Sequence, residues 1–413
     1  MSELKKYSGE RIRESPLDIL HVKFSLKHNI LKLYIFNFMM GFHMISGILL
    51  PFFLNWGKLT FVEIMSLQSF FTLMIVVLEI PCGAIADYIS RRFSLILGAA
   101  STALAALVYG SFSNIFVFMV GETLFAMGHS LISGTDQAFL FETLKSMDRA
   151  EELSKITARN RSFMLLGITL SAPIGSLIGS TLSLNLVMTL MFIPFSLAIV
   201  VSITLREPLI EDRNAIAQKY IYFIKTGFKE LRSNRILRIL AFDRIIVESI
   251  VFFLIWTYQV YLENLYFPLE FFGFISASMT ISQICFNNLI HNFKNRFKSR
   301  RRFLQLYTIV PGLGFILMAL INFTPVSISL ILIVIGFGFT RNIIFINGIN
   351  KQIKSENRAT VISTINMITS ILRTICYPLV GIMVMINLSL TFIILGAMIL
   401  VLGVFTRVKQ EYI

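Results

Sequence analysis

Twelve stretches of mostly apolar residues run through this 413-residue chain, each about as long as a helix that crosses a bilayer, and they constrain its fold more than any other feature. Hydrocarbon offers no water to an open backbone, so a crossing segment must satisfy its own N–H and C=O groups. A helix of roughly 20 residues does this over the ~30 Å core. Helices are expected near 30–54, 61–88, 92–112, 115–143, 158–180, 184–205, 236–262, 269–291, 303–322, 325–350, 357–386 and 388–407. Composition agrees: 15% of residues are charged, against about 25% in soluble domains.

The net charge of +14 would suit a nucleic-acid partner if it formed a patch, but it does not. Lys and Arg gather in alternate connections: the N-terminal tail, Arg91 and Arg92, Lys145 to Arg161, Arg206 to Arg235, Lys294 to Arg302, Lys351 to Arg358 and the C-terminus, with only Lys58 in the others. Basic loops stay in the cytoplasm, so a multi-pass protein of the cell (cytoplasmic) membrane with both termini cytoplasmic is expected, and no nucleic-acid partner. The N-terminal residues show no removable signal, so the first helix is its own insertion signal. Cys82, Cys285 and Cys376 are far apart in apolar helices, without metal-ligand spacing. No metal, no cofactor, no phosphate-binding loop and no enzymatic activity are expected.

The longest polar connection divides the chain into a tail (1–29), a six-helix bundle (30–205), a linker (206–235), a second six-helix bundle (236–407) and a short tail (408–413). In the linker Ile216, Tyr220, Phe223, Ile224, Phe228 and Leu231 recur at helical spacing among Lys219, Lys225, Lys229 and Arg232, as in an amphipathic helix on anionic lipid. A shift of about 205 to 210 residues lays Arg91 and Arg92 on Arg300 to Arg302, and Pro173 on Pro378, as an internal duplication would. The expected fold is therefore an all-α membrane protein, twelve transmembrane helices in two six-helix bundles.

The second stretch ends in Gly83, Asp87, Arg91 and Arg92, spaced as in the loop motif of the major facilitator superfamily, which this chain resembles; Tyr88 and Ser90 depart from that motif. The resemblance implies a latch from the second helix to the eleventh, with Asp136 or Glu142 as the acidic partner of Arg91. The second-half counterpart, 293–302, keeps the basic cluster without an Asp. In the fifth helix Gly167, Ser171, Gly175 and Gly179 recur every fourth residue around Pro173, a small-residue packing face. It is similar to the motif of the superfamily's drug:proton antiporters, with Ala172 where that motif has Gly.

Ionisable groups at membrane depth are functional candidates by default. Glu122, Glu248 and Asp243 are the proton-coupling candidates; Asn37, His43, His129, Arg341 and Asn342 are the substrate-cavity candidates. As alternatives, Glu122 and Glu248 pair with Arg341 or Arg373 as structural ion pairs, and Asp243 pairs with its neighbour Arg244. The expected function is secondary active transport by alternating access, proton-coupled efflux of amphipathic compounds, by a monomer. An importer of a nutrient or metabolite, sodium coupling, and a membrane lipid-handling protein are the rival readings.

Overall fold

The computed structural model describes residues 16–208, 220–296, 300–354, 357–406 and 408–412, and the described residues are helical with short connections. The first half comprises α1 (Pro16–Met40), a 3-10 turn (Met44–Gly47), α2 (Leu49–Pro51), a π-helical turn (Phe52–Trp56), α3 (Phe61–Tyr88), α4 (Arg91–Ser111), α5 (Ile115–Ile132), α6 (Thr135–Lys145), α7 (Leu153–Thr181), α8 (Leu184–Leu190) and α9 (Phe192–Ile203). The linker carries α10 (Tyr220–Ser233). The second half comprises α11 (Arg235–Asn264), α12 (Phe272–Arg296), α13 (Arg300–Leu320), α14 (Thr324–Lys351), α15 (Arg358–Ile386) and α16 (Leu388–Phe405).

Ten of these helical stretches are long and apolar enough to cross a membrane. The places of the expected first and seventh helices are held by the run from α1 to Trp56 and by α11. Short polar side chains start many of the helices, as the unsatisfied N–H groups of a first turn require. Thr60 and Glu63 form a capping box on α3, Asn114 accepts from Phe116 N at 2.8 Å on α5, and Asn387 accepts from Leu390 N at 2.8 Å on α16.

Three expected continuous helices are broken. The first, expected over 30–54, extends back to Pro16 and unwinds after Met40, where a Cβ on Gly41 would meet the Met164 backbone of α7. The fourth divides between α5 and α6 at Gly134, whose φ of 78° is left-handed and suits glycine. The sixth divides at Met191, three residues before Pro194.

The small-residue face of α7 packs on the end of α1 and the unwound stretch after it. A Cβ on Gly167 would meet the Phe38 carbonyl and one on Gly175 the Met44 carbonyl, while Gly179 sits beside Ile48. Ser171 is buried on the same helix, with its hydroxyl donating to the Ile168 carbonyl. Pro173 and its repeat counterpart Pro378 both lie inside 29-residue helices, α7 and α15.

Connections alternate between two ends of the molecule. Ser113 reaches the Gly57 carbonyl at one end, whereas Asn29 and Lys32 reach the carbonyls of Arg206 and Thr204 at the basic end. The halves meet toward the end away from the basic loops. There Gln259 accepts from Leu50 N (2.9 Å) and donates to the Ser46 carbonyl (3.2 Å), and Ser176 donates to the Glu270 carbonyl (2.8 Å).

The linker helix does not simply lie on lipid. Leu231 is buried with Leu237 and Leu240, Asn357 donates to Glu230 at 2.9 Å, and a Cβ on Gly227 would meet Thr364 of α15. Phe228 is exposed. Ile216 and Lys219 lie outside the described residues, as do the side chains of Tyr220, Phe223 and Ile224.

Gly175→Ala is expected to destabilise the protein by about 1–3 kcal/mol, because its methyl group would overlap the Met44 carbonyl. Gly83→Ala, which has open space at its Cβ, should change stability by no more than about 0.5 kcal/mol. Thermal unfolding in detergent separates the two; equal losses would contradict the packing described for α7.

Candidate functional site

At the basic end, Ser90 caps α4, and the first N–H groups of that helix hold a carboxylate. Arg91 N and Arg92 N donate to Glu207 at 2.9 Å each, and Ser90 Oγ adds a 2.8 Å bond. Negative charge is favoured at a helix N-terminus by the unpaired donors and the aligned peptide dipoles. The Arg91 side chain reaches α6, where its Nη1 stands 2.6 Å from Glu142 Oε1, and the Arg92 guanidinium donates to the Ile203 carbonyl that ends α9. Three elements of the first half are tied together by one turn of chain.

Glu207 was not among the expected residues; a single acid just beyond the sixth apolar stretch was its only sign. Asp136 accepts from its neighbour Gln137 N (2.8 Å), and Asp87 makes no hydrogen bond among the described residues. No atom lies within 4 Å of where a Cβ on Gly83 would stand. A close approach of another helix at Gly83 is therefore not made among the described residues.

Near mid-helix the first half carries a buried carboxyl with neutral partners. Glu122 of α5 accepts from Gln68 Nε2 of α3 at 2.8 Å, and the Tyr109 hydroxyl of α4 faces its carboxyl. Tyr109 is fixed by stacking on Phe118 (5.5 Å) and by Gly121, which leaves room for its ring. Asn37 is bonded to Asn160 at 3.1 Å within the same half. His43 starts the 3-10 turn with its ring edge on Phe195 (5.3 Å), and His129 lies on an exposed face of α5. These three do not join the Glu122 cluster.

The second half carries two charge groups. Asp243 and Arg341 form a buried ion pair; Arg341 also donates to Thr308 (2.9 Å) and lies over Phe345 (4.3 Å), and Asp243 accepts from Thr406 (2.6 Å). With both sides so engaged, Arg341 is a brace between α11, α13, α14 and the end of α16. One turn along α11, Glu248 divides its oxygens between two cations, Oε2 at 3.2 Å from Arg244 Nε and Oε1 at 3.1 Å from Arg373 Nη2 of α15. Arg244 also donates to Asn342 (2.5 Å) and Asn366 (3.2 Å), and Arg373 lies 4.1 Å over the Phe252 ring.

One hydrogen bond joins the two clusters across the seam. Ser69 Oγ of α3 donates to the Thr374 carbonyl of α15 at 2.7 Å. Ser69 follows Gln68, the partner of Glu122, and Thr374 follows Arg373, the partner of Glu248. Among the described residues no group of three His, Cys, Asp or Glu side chains could hold a metal ion.

Residues 33–375 match the family model described as Major Facilitator Superfamily. Solved structures resemble most of the chain at low identity. The nucleoside transporter NupG superimposes with a TM-score of 0.74 at 14% identity, covering 94% of this chain and 100% of that one. A D-xylose-proton symporter gives 0.69 at 12%, covering 94% and 99%, and a POT family transporter in complex with 5-aminolevulinic acid gives 0.69 at 13%, covering 95% and 96%. No curated protein matches the sequence.

Removing one partner of a buried ion pair strands the other charge, so Arg91→Ala should cost about 3–5 kcal/mol in stability. The double variant Arg91→Ala/Glu142→Ala should cost less than the sum of the two single changes. Additive losses in thermal unfolding would show that the 2.6 Å contact contributes nothing.

Proposed function

The chain belongs to the major facilitator superfamily and is a secondary transporter of a small molecule, embedded in a membrane; on that premise we propose that solute movement is coupled to protons through Glu122. The observation that carries the proposal is the neutrality of the partners of Glu122. Glu248 and Asp243 are held by arginines, whereas Glu122 is buried against an amide and a phenol. A phenol hydroxyl can donate to a carboxylate or accept from a carboxylic acid. The site can thus keep its hydrogen bonds with the proton on or off, while access to water at one end or the other decides where the proton is exchanged.

The Ser69–Thr374 bond offers a route from this proton to the seam, because it sits one residue from each cluster. The direction we propose is efflux of amphipathic compounds from the cytoplasm, as a monomer in the cell membrane with the basic loops and both termini cytoplasmic. Its support is the small-residue face of α7, similar to that of the drug:proton antiporters, together with the positive charge of alternate loops. Import of a nutrient or metabolite is the second reading, favoured by the D-xylose-proton symporter and the nucleoside transporter whose fold the chain shares.

In liposomes loaded with a pH dye, solute added on one side should move protons in the wild-type chain, and the sign of that movement gives the direction. Glu122→Gln should abolish this proton movement and uphill transport while sparing solute exchange. Wild-type coupling in Glu122→Gln would remove Glu122 from the mechanism, and coupling that follows sodium instead of protons would overturn the proton reading.

A further inference from the structure

Resting on the carrier reading above, we propose that the transported solute bears a carboxylate, held by Arg244 and Arg373 in the place that Glu248 fills in this structure. Three observations carry it. The first is charge. The α11–α14–α15 face holds three guanidinium groups, Arg244, Arg341 and Arg373, against two carboxylates, Asp243 and Glu248. Arg341 and Asp243 neutralise each other, so the surplus cation belongs to the Arg244–Glu248–Arg373 group. A surplus positive charge among low-dielectric walls attracts anions and repels cations.

The second is unused hydrogen-bonding capacity. Arg244 is 5% exposed, yet among the described residues its Nη1 has no hydrogen-bond partner, and neither does the buried Nε of Arg373. A buried N–H of a charged group left without an acceptor is costly, so an acceptor supplied from outside gains by filling it. The contacts of Glu248 at 3.1 and 3.2 Å are also longer than the roughly 2.7–2.9 Å of a well-formed charge-assisted bond. Glu248 spans the gap without satisfying either guanidinium.

The third is shape and access. Glu248 places one oxygen on each arginine, so the gap is the width of one carboxylate, and the planar forks of arginine suit that group. Arg373, Glu248 and Asn366 are not sealed, with Asn366 exposed and the Arg373 side chain 17% exposed. Beside them Phe253 and Trp256 pack around Tyr377 as buried core at 5.5 to 6.2 Å between centroids, and Phe252, partly exposed, gives that apolar cluster its edge at the site. The face of Phe252, which could have received a cationic solute, is already covered by Arg373.

The test uses three probes with one apolar body, 4-phenylbutyrate, 4-phenylbutyramide and 4-phenylbutylamine, titrated against the full chain in lipid nanodiscs by thermal shift. The acid is expected to bind about tenfold or more tightly than the amide and the amine, a difference of about 1.4 kcal/mol or more. Arg373→Gln should erase that preference, and Arg373→Lys, which keeps the charge without the fork, should retain part of it. Arg238→Gln, at an exposed position of α11, should leave it unchanged. Because Arg373→Gln strands Glu248, the double variant Arg373→Gln/Glu248→Gln is the folding control and should also lack the preference.

Tighter binding of the amine, no preference among the three, or an acid preference that survives in Arg373→Gln and in Arg373→Gln/Glu248→Gln would each overturn the proposal. The liposome assay separates it from the proton reading. Acid-selective binding without proton movement leaves the anion site and removes the coupling, whereas proton movement driven only by amines does the reverse.

Discussion

A charge in hydrocarbon must find its partner inside the protein, and the arrangement of this molecule follows from where that requirement is met and where it is not. It is met in full at Asp243 and Arg341, which also bind Thr406 and Thr308, and by a direct 2.6 Å contact at Arg91 and Glu142. These pairs brace helices. It is met incompletely at Arg244 and Arg373, which share one carboxylate, and with neutral groups alone at Glu122. Transport chemistry needs groups that can change partner or proton, and the incompletely matched ones are such groups.

Both of those sites flank the seam between the halves. A serine hydroxyl on a neighbouring backbone carbonyl is a modest bond, worth about 1 kcal/mol, but Ser69 and Thr374 fix the register between α3 and α15. A shift of either helix by one turn, about 5.4 Å, would carry Gln68 away from Glu122 or Arg373 away from Glu248. Register at the seam and the hydrogen bonding of both carboxyls are thus one geometric condition.

The all-helical fold was legible because hydrocarbon enforces a simple rule on length and apolarity, and the alternation of the ends was legible because lysine and arginine obey another. The helix breaks were less so. Gly134 stands among Ser133, Thr135 and Asp136 inside the expected span, and its left-handed backbone shows that the fourth helix is divided there. The same holds for Gly41, whose meaning lies in its packing on the backbone of Met164, a residue of another helix. Glu122, Glu248 and Asp243 stood out because each is an acid at membrane depth within an apolar segment. Of their partners, Arg373 is legible as a candidate for Glu248, which it meets, whereas the sequence sets Arg244 beside Asp243 and helix rotation brings Arg341 to it instead. Gln68, Tyr109 and Asn366 are ordinary in sequence and become site residues only through contacts between helices.

The break at Gly134 makes the fourth membrane segment two rods on one pivot. The rod α5 carries Glu122, and the rod α6 carries Glu142, which is fastened through Arg91 to the start of α4. In an unbroken helix a sideways push at one end is spread as a slight curve over many residues. With a joint, the same push becomes a rotation concentrated in the backbone torsions of Ser133 and Gly134, and no atom stands within 4 Å of where a Cβ on Gly134 would sit. Tilting at the anchored basic end can therefore leave the rod that bears the buried carboxyl straight, with its hydrogen bonds in register.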